Sequence, residues 1–375
     1  MTDLPRERLK IFDVVVIGGG ISGLGVALKS SKTGLSTILI EKDRVAGATS
    51  NNSLRIIHGG FRYLQSLNMP RVLQSIRAQN ELLSLFPELI VPLPCLMPLN
   101  KVGLKSKLPI CVALFIFKIL SAADGCKGAI GHKNKILSSK DVEAAVTIMK
   151  GLAPNGALLW WDALVLDPQA LAQRLVAEIR SNSATVREGE VVLDFSADRE
   201  SFVTKTAVGS NLFSVYSNTI VDTRGPWNPS HKNWCKAYNV VVKKVLDPKY
   251  AIAIESAKGR LYFAVPRGNE CAIGTQYSYF EGDPAKAMVS EQEIEEFIND
   301  FSNALPNAKL TIADVARTEC GVLPANGPND ETLVGTAKII NQHGLVSVLS
   351  TKYTTFLTQA EKVLQILKRH LSAKA

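Results

Sequence analysis

The sequence predicts an α/β chain, and three observations carry that expectation. A β-branched run, Ile11–Ile17, ends abruptly in glycines. A helical stretch and a second apolar strand follow within about thirty residues, the length of one parallel strand–helix–strand crossover. Further along, Leu261–Val265 and Cys271–Thr275 alternate in the manner of paired strands.

Ile11–Ile17 (IFDVVVI) suits a strand buried on both faces of a parallel sheet. It leads into Gly18-Gly19-Gly20-Ile21-Ser22-Gly23, which satisfies G-x-G-x-x-G. Leu24–Lys32 reads as a helix, Gly34 as its stop, and Leu35–Ile40 as a second strand with Glu41 at its end. The spacing has a mechanical meaning. Gly18 permits the tight turn, Gly20 lets the backbone approach a pyrophosphate, and Gly23 lets the helix lie close to the strand. Phosphates then meet free N–H groups and the positive end of a helix. Glu41 is placed to accept hydrogen bonds from the adenosine ribose. Strand, glycines, helix, strand and acid in this order predict a Rossmann-like dinucleotide site, with NAD and FAD both open at this point.

The 375 residues include 43 Lys+Arg and 34 Asp+Glu, a net charge of +9, and 46% are hydrophobic. That composition excludes a disordered chain, a collagen-like repeat and a small disulfide scaffold. The basic residues are dispersed, which argues against nucleic acid as a partner. The six cysteines show no C-x-x-C and no His at ligand spacing, so no metal site is expected, and they suit a reducing compartment. Met1–Lys10 lacks the apolar core of a secretory signal. The longest apolar stretch, Leu108–Phe117, is stopped by Lys118 and is too short to span a bilayer. A cytoplasmic protein is expected, with peripheral contact at the inner face of a membrane as the alternative. Leu108–Leu120, flanked by Lys101, Lys105, Lys107 and Lys118, reads first as a buried helix and second as a membrane-surface patch.

The segment Glu41–Leu64 contains Ala48-Thr49-Ser50, Ser53-Leu54-Arg55-Ile56-Ile57 and His58-Gly59-Gly60-Phe61-Arg62-Tyr63. It resembles the FAD-dependent glycerol-3-phosphate dehydrogenases of the D-amino-acid-oxidase-like flavoprotein superfamily. The resemblance continues through Glu81–Leu99, Trp160-Trp161-Asp162, Gly225-Pro226-Trp227, Ile273-Gly274-Thr275, Gly282-Asp283-Pro284, Gly321–Pro324 and Leu349–Phe356, in the family's order. It implies FAD as cofactor and a discontinuous FAD-binding domain (11–95, 150–230 and 321–371). An α+β substrate domain with an antiparallel sheet (96–149 and 231–320) is inserted between those pieces. It also implies a cofactor-binding set. Beyond Gly18, Gly20, Gly23 and Glu41, that set takes in Lys42, Thr49 and Ser50, then Gly59 and Gly60, and later Val191, Gly225 and Thr351.

Asp167–Arg180, Ser290–Leu305 and Thr358–Leu371 read as helices. Ala184–Phe195 reads as a strand with a turn, and Thr219–Val221 as a short apolar strand. Trp160-Trp161-Asp162 reads as core and sheet edge. The chain ends soon after the flavin domain closes, so the family's helical C-terminal domain is not expected in it.

The chain departs from the family at positions that hold an anion. Asn52 stands at a family arginine, Leu323 at the arginine of Gly-Val-Arg-Pro, and Arg55 at a lysine, while Lys352 is kept. Neither Asn nor Leu replaces a bidentate guanidinium, and the loss weakens phosphate binding by about 1.5–3 kcal/mol per charged hydrogen bond. Glycerol 3-phosphate is therefore disfavoured. The expected function is removal of a hydride from a CH–OH carbon, or second a CH–NH2 carbon, of a small anionic metabolite to flavin N5. Quinone or oxygen would be the electron acceptor. The alternatives are a glycerol-3-phosphate dehydrogenase with an altered anion site and a non-catalytic flavoprotein subunit. Arg55, His58 and Lys352 are the catalytic candidates. Arg55 would hold a carboxylate or tune the ring, His58 would act as base or substrate ligand, and Lys352 would place charge near the flavin.

Overall fold

The computed structural model describes residues 10–66, 68–123, 133–198 and 201–373. Most of the polar start, residues 1–9, lies outside them, as does Cys126. The other five cysteines are free thiols.

Two sheets organise the described residues. The first runs in the order Lys338–Gln342, Leu345–Leu349, Asn211–Asp222, Ile11–Ile17, Thr37–Glu41 and Thr185–Glu188. Ile11–Ile17 pairs in parallel with both neighbours, Val14 lying opposite Thr37 on one side and Thr219 on the other. Alternate side chains go to opposite faces. Val14 and Val16 join a core with the helices Ile21–Lys32, Pro168–Ser181 and Phe356–Ser372. Val15 and Ile17 pack on the other face with Ile38, Ile40, Ile220 and Phe202, under the hairpin Val191–Asp198 and Ser201–Val208. Both faces are covered, which is why the strand is a continuous apolar run rather than an alternation. The expected short strand Thr219–Val221 is the buried end of a longer one, Asn211–Asp222, whose first four residues are exposed.

The second sheet is mostly antiparallel. Its order is Val315–Pro324, Trp234–Val242, Glu270–Phe280, Leu261–Arg267, Ala251–Glu255, Ile90–Pro98, Ala157–Val165 and Ile56–Ile57. Tyr238, Val240 and Tyr262 face the helix Glu291–Ala304 through Phe297 and Phe301. That helix starts in a reciprocal capping box between Ser290 and Glu293. The opposite face carries Leu93, Cys95, Trp160 and Phe263. It packs on the helix Met69–Leu85 through Val72 and Ile76, and on the helix Lys107–Ala123 through Ile110 and Phe117.

Ile56–Ile57, Ile90–Pro98, Ala157–Val165 and Gly321–Pro324 belong to the second sheet, not the first. The ends of the first sheet are blunted, one by the short strand Thr185–Glu188 and the other by the exposed Lys338–Gln342. Ile90–Pro98 and Ala157–Val165 instead pair with each other along their full length. The apolar stretch Leu108–Leu120 also departs from its first reading. It lies in the helix Lys107–Ala123, which buries one face and exposes the other.

Among the described residues, no helix is long and apolar enough to cross a membrane, and no cluster of His, Cys, Asp and Glu is arranged to hold a metal ion.

Candidate active site

The glycine loop lies between the first strand and its helix. A Cβ at Gly23 would collide with the Gly18 carbonyl and come within 2.6 Å of Thr223 Oγ1, so only glycine lets the helix dock this closely. Gly18 has φ +100° and rests against the Thr223 backbone. At Gly20 the only neighbour a Cβ would meet is Ser50 Oγ, at 3.4 Å. The helix start carries no acidic residue in its first turn and no side-chain cap from Gly20. Ser50 Oγ accepts from the Ile21 N–H at 3.0 Å. A diphosphate fits this cradle: room on the backbone at Gly20, a positive helix end, and no acidic side chain in the helix's first turn.

Glu41 lies beside the loop. Its Oε2 accepts from the Gly19 N–H at 2.6 Å and its Oε1 from the Asp43 N–H at 2.9 Å. Each carboxylate oxygen keeps a second lone pair for a ribose hydroxyl. Lys42 Nζ sits 4.2 Å above the Trp227 ring, next to Gly225, which has φ +58° and open space around it. The turn before Val191 is bound to the same place, with the Gly189 and Glu190 N–H groups donating to the Asp43 and Glu41 carbonyls.

The segment after Glu41 is stitched to the second sheet. Thr49 Oγ1 donates to the Val322 carbonyl and accepts its N–H, both at 3.2 Å. Asn52 donates to the Cys320 carbonyl at 2.7 Å. The Asn52 amide thus ties this loop to the strand Val315–Pro324.

His58 follows Ile56–Ile57. Its Nδ1 lies 2.9 Å from Asp162 Oδ2, and its backbone N–H donates to Thr354 Oγ1 at 3.1 Å. Asp162 is buried, and also accepts from the Gly59 N–H at 2.8 Å and from Trp160 Nε1 at 3.2 Å. An acceptor-only carboxylate on Nδ1 selects the tautomer with hydrogen there, leaving Nε2 free to take a proton. The aspartate of Trp160-Trp161-Asp162 is thus a polar hub, not merely core. Its signal in the sequence was an acid between aromatic and aliphatic residues in a strand. Gly59 and Gly60 have a packing reason as well. Their missing Cβ atoms leave space that Gln79, Ser75 and Val72 of the helix Met69–Leu85 fill.

Lys352 reaches the same region from the other end of the chain. Its Nζ donates to Tyr63 Oη at 2.8 Å and lies 4.6 Å from that ring's centroid. The guanidinium carbon of Arg71 lies 4.4 Å from the same centroid, and Arg71 donates to the Gly335 carbonyl. Sequence reasoning missed Arg71, which stands in no motif. Thr351 Oγ1 donates to the Val334 carbonyl at 2.8 Å, bracing the loop that presents Lys352.

Arg55 is held elsewhere. It has φ +67°, donates to the Leu166 carbonyl at 2.9 Å and lies 3.9 Å from Glu319. Among the described residues it shares no hydrogen-bond partner with His58 or Lys352. Glu319 is gripped by Arg267 through two bonds of 2.8 and 2.9 Å and approached by Arg317 at 3.5 Å. Burial pushes the thiols of Cys235 and Cys320 up to about 11 and that of Cys271 up to about 12, with Cys95 raised well above its usual value, so none is a ready nucleophile.

The family model described as FAD dependent oxidoreductase matches residues 13–352. An alpha-glycerophosphate oxidase of Enterococcus casseliflavus is 25% identical over 88% of this chain and 58% of its own length, so the chain spans little more than half of that relative. A glycerol-3-phosphate dehydrogenase of Synechocystis is 26% identical over 97% of this chain and 71% of its own length. Among solved structures, the Bacillus halodurans glycerol-3-phosphate dehydrogenase complexed with FAD superposes with a TM-score of 0.72 at 20% identity, covering 97% of this chain and 65% of that one. Glycine oxidase from Geobacillus kaustophilus gives 0.71 at 17% identity, covering 96% and 95%. The α/β architecture with an antiparallel second sheet is shared with these structures, and the chain belongs to the family of FAD-dependent oxidoreductases.

Proposed function

We propose that this protein is an FAD-dependent oxidoreductase that oxidises a CH–OH carbon, or second a CH–NH2 carbon, of a small anionic metabolite. The observation that carries the reading is the His58–Asp162 pair, set beside Lys352 and Tyr63 by two hydrogen bonds between the segments 58–63 and 352–354. Gly18, Gly20 and Gly23 would cradle the FAD diphosphate, with Ser50 holding the helix start. Glu41 would take the ribose, and Lys42, Val191 and Gly225 would border the adenosine. Thr49, Gly59, Gly60 and Thr351 would shape the loops around the ring system. The flavin, when bound, supplies the hydride acceptor.

The chain's own residues supply proton transfer and binding. Nε2 of His58 takes the hydroxyl or ammonium proton as the C–H bond breaks, and Asp162 stabilises the resulting imidazolium. Lys352, with Arg71 beside it, holds the substrate's anionic group. Arg55 orders the loop beneath the site, since it donates to the Leu166 carbonyl and lies 3.9 Å from Glu319. A quinone or oxygen would reoxidise the flavin. Asn52 and Leu323 in place of two arginines favour a carboxylate over a phosphate.

An anaerobic screen of flavin bleaching tests the reading over polyols, sugar phosphates, hydroxy acids and amino acids. Bleaching by a hydroxy acid supports it, and bleaching by an amino acid supports its second form. Bleaching by glycerol 3-phosphate alone replaces it with the relatives' activity. A flavin that only dithionite reduces makes the protein a non-catalytic flavoprotein.

A further inference from the structure

The glycine loop leaves the first strand between two banks. Ile17, the strand's last residue, lies opposite Ile40 on one side and Asp222 on the other. One bank continues through Glu41 to Lys42, the other through Thr223 to Trp227. With neighbouring strands about 4.8 Å apart, the banks stand roughly 10 Å from each other. Yet Lys42 Nζ lies 4.2 Å from the centroid of the Trp227 ring. The contact therefore crosses the mouth of the cleft that holds Gly18, Gly20 and Gly23.

Both banks are fixed by backbone contacts. On one, the Gly18 N–H donates to the Ile40 carbonyl at 2.8 Å, and the Gly189 and Glu190 N–H groups hold the Asp43 and Glu41 carbonyls. On the other, Thr223 Oγ1 lies 2.8 and 2.9 Å from the Ile17 and Gly18 carbonyls, and the Asn228 N–H closes the turn onto Gly225 at 3.0 Å. The part left to move is the lysine stem. Its side chain is 39% exposed, and its ion pair with the exposed Asp43 is loose, at 3.7 Å. Two neighbouring cations are already committed, Arg224 to Asp222 at 2.7 Å and Arg187 to Glu190 at 3.3 Å. An ammonium seated on an indole face keeps its charge and its N–H donors for a phosphate.

We propose that Lys42 and Trp227 form a clasp over the adenosine diphosphate part of the cofactor, in which the ring holds the ammonium across the cleft and so slows FAD release. The clasp rests on the FAD site proposed above. It makes Trp227, absent from the expected cofactor set, a positioning residue that acts through Lys42. Without the ring the stem relaxes into solvent, and the ammonium spends less time on the phosphates.

Release of FAD from the full holoprotein tests the clasp, read as the fluorescence of freed flavin after dilution. The assay needs no turnover, so its outcome is independent of the proposed oxidation. Lys42→Met is expected to speed release by about tenfold, as for the loss of one charged hydrogen bond. Trp227→Leu leaves every charge in place and is expected to speed release by roughly threefold to tenfold. Trp227→Phe, which keeps an aromatic face, should stay near the wild-type rate. Lys42→Met combined with Trp227→Leu should release FAD no faster than Lys42→Met alone, because the ring acts through the lysine. Added salt is expected to speed release in the wild type and far less in Lys42→Met. Circular dichroism of each variant should match the wild type, which separates faster release from unfolding. Wild-type release from Trp227→Leu overturns the clasp, and so does a double variant whose effect is the product of the two single ones. Either result leaves the FAD site standing. A chain that takes up no FAD brings down that site and the clasp together.

Discussion

His58 Nδ1 lies 2.9 Å from the buried carboxylate of Asp162, whose other oxygen takes the Gly59 N–H. One acid thereby fixes both the imidazole tautomer and the loop that carries it. Asp162→Asn separates these roles. The Asn oxygen still accepts from Gly59, but its amide donates toward Nδ1 and forces the hydrogen onto Nε2, and it gives up the bond that Oδ2 accepts from Trp160 Nε1. The protein is expected to fold and bind flavin, while the rate of flavin reduction by substrate falls by about a hundredfold or more. Nitrogen shifts of the ring in labelled protein should show Nδ1–H in the wild type and Nε2–H in the variant. An unchanged ring spectrum would remove the aspartate from any positioning role.

Lys352 and Arg71 share the Tyr63 ring, and among the described residues Lys352 pairs with no carboxylate. A cation held by a phenol and a ring face remains available to an anion. Lys352→Met is expected to raise KM for an anionic substrate by roughly tenfold to a hundredfold, matching about 1.5–3 kcal/mol for a charged hydrogen bond. An uncharged analogue should be affected far less. Equal effects on both substrates would make the lysine structural.

Gly23→Ala drives a methyl group into the Gly18 carbonyl. The glycine loop has backbone on both sides, so the helix start must move, and the diphosphate cradle moves with it. Purified variant is expected to contain little flavin, measured by absorbance against protein. Flavin content equal to wild type would show that the loop does not hold the diphosphate.

The glycine loop and Glu41 were legible because a dinucleotide cradle imposes local spacing: the turn, the helix start and the acid all fall within about thirty residues. His58 and Lys352 became candidates through matched motifs. Asp162 and Arg71 did not. Their roles come from pairings made across the fold, strand Ala157–Val165 against Ile56–Ile57 and helix Met69–Leu85 against Tyr63, which no local spacing encodes. The helix Lys107–Ala123 misled for a related reason. It is apolar almost all round, and periodicity alone does not say that only one face is covered.

Glu293 caps its own helix and bonds Lys236 Nζ at 2.6 Å, tying the helix Glu291–Ala304 to the strand Trp234–Val242. Burial alone would raise its carboxyl, but the Lys236 and Ser290 donors outweigh that and hold it below the usual range. A depressed carboxyl stabilises the fold above the unfolded value, about 4.3, and loses that contribution as pH falls through the folded value. Glu293→Gln is therefore expected to lower the melting temperature near neutrality, with the gap to wild type closing in acid below about pH 4. A gap that stays constant with pH would mean the ionised form contributes nothing.

Arg267 and Glu319 form a nearly dry pair, their side chains only 6% and 8% exposed. Burial pushes the guanidinium below its ordinary value, and the carboxylate opposes that push. Arg267 also donates to the Ser53 carbonyl at 3.0 Å, so the pair anchors the loop leading to Arg55 and His58. Removing only the acid leaves Arg267 buried without its counter-ion and Arg55 and Arg317 without the charge they approach. Glu319→Leu is expected to destabilise the fold by about 3–5 kcal/mol. Arg267→Met with Glu319→Leu removes both charges and should recover much of that loss, read by urea unfolding of the two variants. Stability recovered by the double change with flavin reduction still slow would show that the pair positions the loop. A double variant no more stable than Glu319→Leu would mean the buried charges are not coupled.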